Sequence, residues 1–205
     1  MYDMSKEISK FYRDEVVLPA YVQNDLRQKK KINIKRLKDG LVEYNQEKGT
    51  DYKICEDRVQ GSLVMHTVVQ NDGNDYDIDV AIVFEKNNLG ELGALATRNM
   101  VANALRRKTK QFSAEPEVKT SCVRVKYVDG YHMDFAVYRR YKENESDTEY
   151  LYEHAGAEWS VRGIRALEDW FKEEITQKGN GPAPENCTKR RVSPDGTIEA
   201  KERGA

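Results

Sequence analysis

Apolar residues recur near helical spacing at Leu26, Ile34, Leu37, Leu41 and Tyr44, in a stretch (19–48) whose only internal Pro or Gly is Gly40. That period predicts one long amphipathic helix opened by Pro19. Its other positions carry Arg27, Lys29, Lys30, Lys31, Lys35, Arg36 and Lys38, a basic face that either stands in solvent or meets phosphate. A short stretch, 58–60, leads into Gly61-Ser62, and the polar loop QNDGND (70–75) precedes YDIDVAIVF, whose alternation predicts a strand. Leu92, Leu95, Ala96, Met100 and Leu105, within 91–108, suit a second helix packed on that strand's sheet. The alternating runs 123–128 and 131–138, joined by Asp129-Gly130, predict a β-hairpin whose two central turn residues take positive φ. A last helix over 163–178 places Ile164, Leu167, Phe171 and Ile175 on one side. Residues 179–205 hold three of the five prolines and almost nothing apolar, which predicts a flexible tail behind a core of 1–178.

Composition narrows the class. The chain has 205 residues, 34 Lys+Arg against 35 Asp+Glu, a formal net charge of −1, and is 39% hydrophobic and 34% charged. A wholesale polycation is excluded, so any nucleic-acid contact would have to come from the local basic face. No apolar run approaches the roughly 20 residues of a membrane span, and the opening MYDMSKEISKFYRDE lacks the apolar core of a secretory signal. A cytoplasmic protein without a membrane partner is expected. Cys55, Cys122 and Cys187 are odd in number and far apart, with no Cys-x-x-Cys or neighbouring Cys/His pair, and are expected to be reduced structural thiols.

The candidate chemistry is acidic. Asp75, Asp77 and Asp79 share parity on the predicted strand, so their side chains emerge on one face while Ile78, Val80, Ile82 and Phe84 enter the core from the other. Asp134 repeats this on the second hairpin strand, beside His132. Carboxylates converging on one spot repel one another unless a cation sits between them, and oxygen ligands favour Mg²⁺, with Mn²⁺ an alternative. Two such ions suit phosphoryl transfer, one lowering the pKa of an attacking hydroxyl and the other neutralising the leaving pyrophosphate. Gly61-Ser62 is the candidate triphosphate cradle, since glycine lets backbone amides approach phosphate and serine adds a hydroxyl. Parity alone leaves open whether Asp75 with Asp77 or Asp77 with Asp79 is the metal pair.

Gln60-Gly61-Ser62, then Asp77-Ile78-Asp79 followed by VAIVF, then Asp134 within YHMDFAVY, together resemble the polymerase-beta-type nucleotidyltransferases. Within them the pattern is most similar to the bacterial cGAS/DncV-like nucleotidyltransferases, and the long helix before Gln60 looks like that family's spine helix. The resemblance covers roughly residues 4–178. It implies an α+β fold with a mixed or antiparallel sheet flanked by helices. It also implies nucleotidyl transfer from ATP or GTP to a ribose hydroxyl, giving a cyclic or linear oligonucleotide signal in anti-phage defence that a downstream effector protein would read. Carried over, Gln60, Gly61 and Ser62 bind the nucleotide, Ser62 touching the triphosphate. Asp77 and Asp79 hold two Mg²⁺ ions and Asp134 completes the set, which leaves Asp75 outside it. The family continues into a helical second lobe, where this chain has only EHAGAEWSVRGIRALEDWFKEEI before its tail. It also reads Trp159-Ser160-Val161-Arg162 where relatives have Ser-Asp-Pro after the Trp. The same chemistry with a protein, tRNA or small-molecule acceptor, and a non-catalytic nucleotide-binding fragment, are the alternative readings.

His132 is expected to be structural, because two-metal transfer needs no imidazole base, and His66 has at most a phosphate contact. The cations Arg106, Arg107, Lys108 and Lys110 complement the end of the second helix, and Trp159 and Trp170 are expected in the core.

Overall fold

The structure, a computed structural model, describes residues 3–70, 73, 75–108 and 112–178; the expected tail 179–205 and Cys187 lie outside them. Helix α1 (Ser5–Phe11) runs into a π-helical turn (Tyr12–Val16), and the expected spine helix follows as α2 (Ala20–Lys48). Pro19 precedes α2 in extended backbone, and Gly49 ends it at φ 66°, donating its N–H to Asn45 O. Leu26, Ile34, Leu37 and Leu41 are buried on the predicted stripe. Gly40, costly inside a helix, is explained by helix α5 (Ala94–Arg106): a β-carbon at Gly40 would overlap the carbonyl oxygen of Ala104, so only glycine permits this close crossing.

Among the described residues seven strands form one sheet: β1 (Ile54–Val59), β2 (Asp77–Glu85), β3 (Glu117–Val118), β4 (Val123–Lys126), β5 (His132–Tyr141), β6 (Leu151–Ala155) and β7 (Trp159–Val161). The main order is β1-β2-β5-β4-β3. The long β5 pairs from His132 to Arg140 with β2 on one edge, while its other edge is shared by β4 and then β6, to which β7 adds. All neighbours are antiparallel except β2 and β5, which run parallel, so the sheet is mixed. The short helices α3 (Gly61–Met65) and α4 (Lys86–Leu89) flank β2, and α6 (Ala166–Lys178) ends the described chain.

Alternation assigns the two faces. Ile78, Val80, Ile82, Phe84, Met133, Phe135 and Val137 pack with α2 and α5 in the main core, all fully buried or nearly so. On the opposite face Ala81, Val83, Tyr138 and Ile164 make a smaller cluster, and the acids lie at the strand beginnings beyond it. The hairpin departs from expectation at its turn. Tyr127 N–H donates to Tyr131 O and Gly130 N–H to Tyr127 O, so the loop has three residues, and of these only Gly130 has positive φ, 96°.

Strands β1, β3, β6 and β7 are not among the expected elements, because short strands with few fully buried positions lack a clean alternation. The basic face of α2 is largely paired within the chain: Lys30 and Lys38 both reach Asp57, Lys29 bridges Asp25 and Asp129, and Lys35 pairs with Asp39. The chain divides into two compact units, 1–168 and 169–205. In the first, Ile164 and Glu168 are buried while Leu167 is 60% exposed, so the apolar stripe expected of the last helix is interrupted. Glu168 pairs with Arg58 instead. Trp159 is half-buried, donating its indole N–H to Leu92 O beneath the Arg139 guanidinium, whereas Trp170, expected in the core, is 56% exposed. Among the described residues no helix is long and apolar enough to cross a membrane.

Candidate functional site

Parallel pairing in register brings the acids together. Asp77 lies opposite His132 and Asp79 opposite Asp134, and Cα partners on neighbouring strands project to the same side, so all four emerge on the face away from α2. They stand at the first residues of both strands, where the small apolar cluster ends and the face opens.

The Gln-Gly-Ser turn abuts the same spot. Gln60 N–H donates to Asp79 O at 2.9 Å, and the Gln60 side-chain amide donates to Ile164 O at 2.9 Å, which fixes the turn from two directions. Gly61 has φ +66°, and a β-carbon there would overlap Asp79 Oδ2. Two independent constraints therefore demand glycine there, handedness and clearance. Ser62 is half-buried beside it at the start of α3. His66 ends α3 in the left-handed region at φ 57° and is exposed.

Asp134 is 8% exposed and gripped by Arg124, whose Nε donates to Oδ1 at 2.7 Å and whose Nη2 donates to Oδ2 at 2.6 Å. This two-pronged pairing fixes both carboxylate oxygens. Arg124 was missed from sequence, although β4 sets it directly opposite Asp134 in the hairpin register; counting outward from the turn was the available signal.

His132 is also placed otherwise than expected. Its Nδ1 lies 3.1 Å from Asp75 Oδ1 and its Nε2 3.3 Å from Asp77 Oδ1, so the ring stands between two carboxylates. Ligand atoms of Asp77, His132 and Asp134 all lie within 4.8 Å of one another. Asp75, exposed, reaches only the imidazole side of this group.

The electrostatics point to a need for positive charge. Burial, with the neighbouring charges of Asp77 and Asp134, pushes the Asp79 carboxyl up to about 6. Asp77 is raised by the same desolvation and by Asp134. Asp77 Oδ1 is buried without a hydrogen-bond partner. A buried anionic oxygen that has His132 Nε2 at 3.3 Å but no well-formed hydrogen bond, among crowded carboxylates, is a position a divalent cation would satisfy, so these residues fit one.

Comparison with known proteins agrees with this geometry. Residues 56–138, which include the turn, β2, most of β5 and all three acids, match the family model described as the cyclic GMP-AMP synthase DncV-like nucleotidyltransferase domain. Among solved structures, the fold is similar to the Vibrio cholerae DncV cyclic AMP-GMP synthase, a prokaryotic cGAS homologue, with a TM-score of 0.59 at 15% identity over 80% of this chain and 58% of that one. It is similar to the same enzyme in complex with the linear intermediate 5′ pppA(3′,5′)pG, at 0.59 and 15% over 82% and 60%. Escherichia coli DncV in its 3′-deoxy GTP bound form gives 0.58 and 18% over 86% and 61%. At such identities the likeness is one of fold, and the chain spans about three fifths of the length of these structures.

Proposed function

From a chain that carries a DncV-like nucleotidyltransferase segment within a DncV-like fold, we propose an enzyme that transfers a nucleoside monophosphate from ATP or GTP to a ribose hydroxyl. The hydroxyl oxygen bonds to the α-phosphorus, the bond from that phosphorus to the bridging oxygen breaks, and pyrophosphate leaves. Repetition gives a linear, then a cyclic or longer oligonucleotide, which acts as a second messenger on an effector protein in anti-phage defence.

The observation that carries this reading is the register of β2 with β5, which sets Asp79 opposite Asp134 with Asp77 on the same face and Gly61 against Asp79. Asp77, Asp79 and Asp134 would hold the divalent cations, Mg²⁺ or Mn²⁺. When bound, such ions lower the pKa of the ribose hydroxyl and neutralise developing charge on the pyrophosphate. Ser62 offers its hydroxyl to the triphosphate, and Gln60 keeps the turn close by its two hydrogen bonds. Arg124 holds the Asp134 carboxylate in one orientation and would share its charge with any cation bound there.

Incubation with the four ribonucleotides and Mg²⁺ or Mn²⁺, followed by chromatography of the products, tests the proposal. Self-made dinucleotides or oligonucleotides with stoichiometric pyrophosphate are expected, and Asp77→Ala with Asp79→Ala should abolish both. Pyrophosphate release only on adding a protein, tRNA or small-molecule acceptor would replace the messenger reading with acceptor modification. Nucleotide binding without turnover would overturn the enzymatic reading.

A further inference from the structure

On the face of the sheet opposite the acids, a cavity of about 300 Å³ lies between α2 and the hairpin loop. Its rim is apolar and open to solvent, Ile32 being 50% and Val128 74% exposed. Its floor is preformed. Tyr127 and Tyr131, both in the main core, stack with ring centroids 4.3 Å apart, and Phe112 meets Tyr127 edge-on at 5.2 Å. Asn33, only 1% exposed, also lines the cavity. Its Oδ1 accepts from Arg36 Nη1 at 3.2 Å and from the Tyr127 hydroxyl, while its Nδ2 is buried without a hydrogen-bond partner. Turning the amide over gives no relief, because a guanidinium only donates and would then face an NH₂ group. The amide orientation is therefore fixed by chemistry, with a donor left to be satisfied. Arg36 lines the cavity beside it, so this side offers donors. Asp25 and Asp129 line the cavity as well and offer acceptors, joined through Lys29 Nζ at 3.0 and 3.4 Å. Lys29, with Nζ 3.9 Å from the Tyr131 ring centroid, is the flexible part of the wall. The charges of Lys29, Arg36, Asp25 and Asp129 cancel, which suits an uncharged ring with both acceptors and donors on its edge.

We infer that this cavity binds the base of a guanine nucleotide. Guanine presents O6 and N7 as adjacent acceptors, which match the donors of Asn33 and Arg36, and its N1–H and N2–H₂ groups match the carboxylates of Asp25 and Asp129. Adenine carries an amino donor where guanine has O6, and so would set donor against guanidinium. The apolar ring faces lie against Ile32 and Val128. The cavity calls for no metal and shares no residue with the acidic face, so the inference goes beyond the proposed transfer reaction and does not depend on it.

The test titrates the whole chain with GMP and AMP in EDTA, by calorimetry and by NMR of methyl-labelled protein. Expected is one-to-one binding of GMP, with AMP weaker by about tenfold or more. Nuclear Overhauser contacts from the guanine H8 to methyl groups of Ile32 and Val128 should appear in the wild type, so the result does not depend on a variant folding. Val128→Glu, at an exposed loop position, should weaken GMP by about tenfold, and Asn33→Ala should do the same. Asp77→Asn with Asp79→Asn should bind GMP as the wild type does. The dinucleotide ApG offers the same base from a second source: GMP binding at least as tightly assigns the cavity to free nucleotide, and tighter ApG assigns it to an oligonucleotide. Equal binding of GMP and AMP, absence of GMP binding, or absence of contacts to Ile32 and Val128 would overturn the inference. GMP binding lost only in the double acid variant would also overturn it and leave the proposed function standing. Cavity binding without any pyrophosphate release from nucleoside triphosphates would remove the proposed function alone.

Discussion

A β-carbon on Gly61 would occupy the volume of Asp79 Oδ2. The turn and the acid are in close approach, so a side chain at residue 61 would have to displace the Asp79 carboxylate. With φ at +66°, Gly61→Ala adds a left-handed strain of about 1–2 kcal/mol to that overlap. The variant is expected to fold, to melt at lower temperature, and to lose nucleotidyl transfer through displacement of Asp79. Unchanged pyrophosphate release in Gly61→Ala would show that the close approach has no catalytic role.

The raised Asp79 carboxyl makes the cation-free protein sensitive to pH. Its folded pKa of about 6 lies above the ordinary 3.8, so its contribution to stability is fully present below pH 4 and is lost as pH rises through 6. Urea unfolding of the wild type and Asp79→Asn should therefore agree near pH 4 and diverge by about 1–2 kcal/mol at pH 7, the variant being the more stable. Added Mg²⁺ should raise the wild-type melting temperature at pH 7.5 far more than at pH 5, since the cation competes with the proton. A constant difference between the two proteins across this range would contradict the assignment.

Arg124 and a divalent cation have overlapping claims on Asp134. Arg124→Ala leaves an 8% exposed carboxylate without its guanidinium and should cost about 2 kcal/mol, somewhat less than a fully buried pair because Arg124 is partly solvated. Cations should restore more stability in this variant than in the wild type. Differential scanning fluorimetry with and without Mn²⁺ measures both effects, and equal cation-induced shifts would show that Arg124 does not compete.

Gly40 reports on the helix crossing behind the sheet. Gly40→Ala improves helix propensity by up to about 1 kcal/mol, yet it drives a methyl group into the Ala104 carbonyl, and overpacking of this kind costs about 1–3 kcal/mol. Net destabilisation is expected by denaturant titration, whereas an exposed helical glycine would give the opposite sign. A more stable Gly40→Ala would mean that the helices separate freely.

The elements that dominate the fold were legible because each depends on local pattern. The stripe of α2, the alternation of β2 and the Asp-Gly hairpin all give period signals within a single segment. Parity put Asp77, Asp79 and Asp134 on exposed faces, but their meeting depends on β2 and β5 being parallel neighbours, which no local period encodes. The same limit hid β1, whose ICEDRV carries no clear strand signal of its own and is defined by its pairing with β2. Arg124 was overlooked, and His132 was set aside as structural, for a different reason. Their roles come from cross-strand partners, and a cation on a strand or an isolated histidine has an ordinary meaning in sequence.

The parallel pairing of β2 with β5 also bears on the order in which the domain acquires its chemistry. The Gly61 turn and the β2 acids belong to one stretch of polypeptide, and the hairpin with Arg124, His132 and Asp134 belongs to another, separated by the whole of α5. During synthesis the earlier acids are exposed before their counterparts have been translated. Long-range closure of this kind comes late and slowly, so an unfinished chain holds only half the groups and cannot act on nucleotide. Any ion that binds both halves at once ties the finished topology together, favouring the native state in proportion to its concentration.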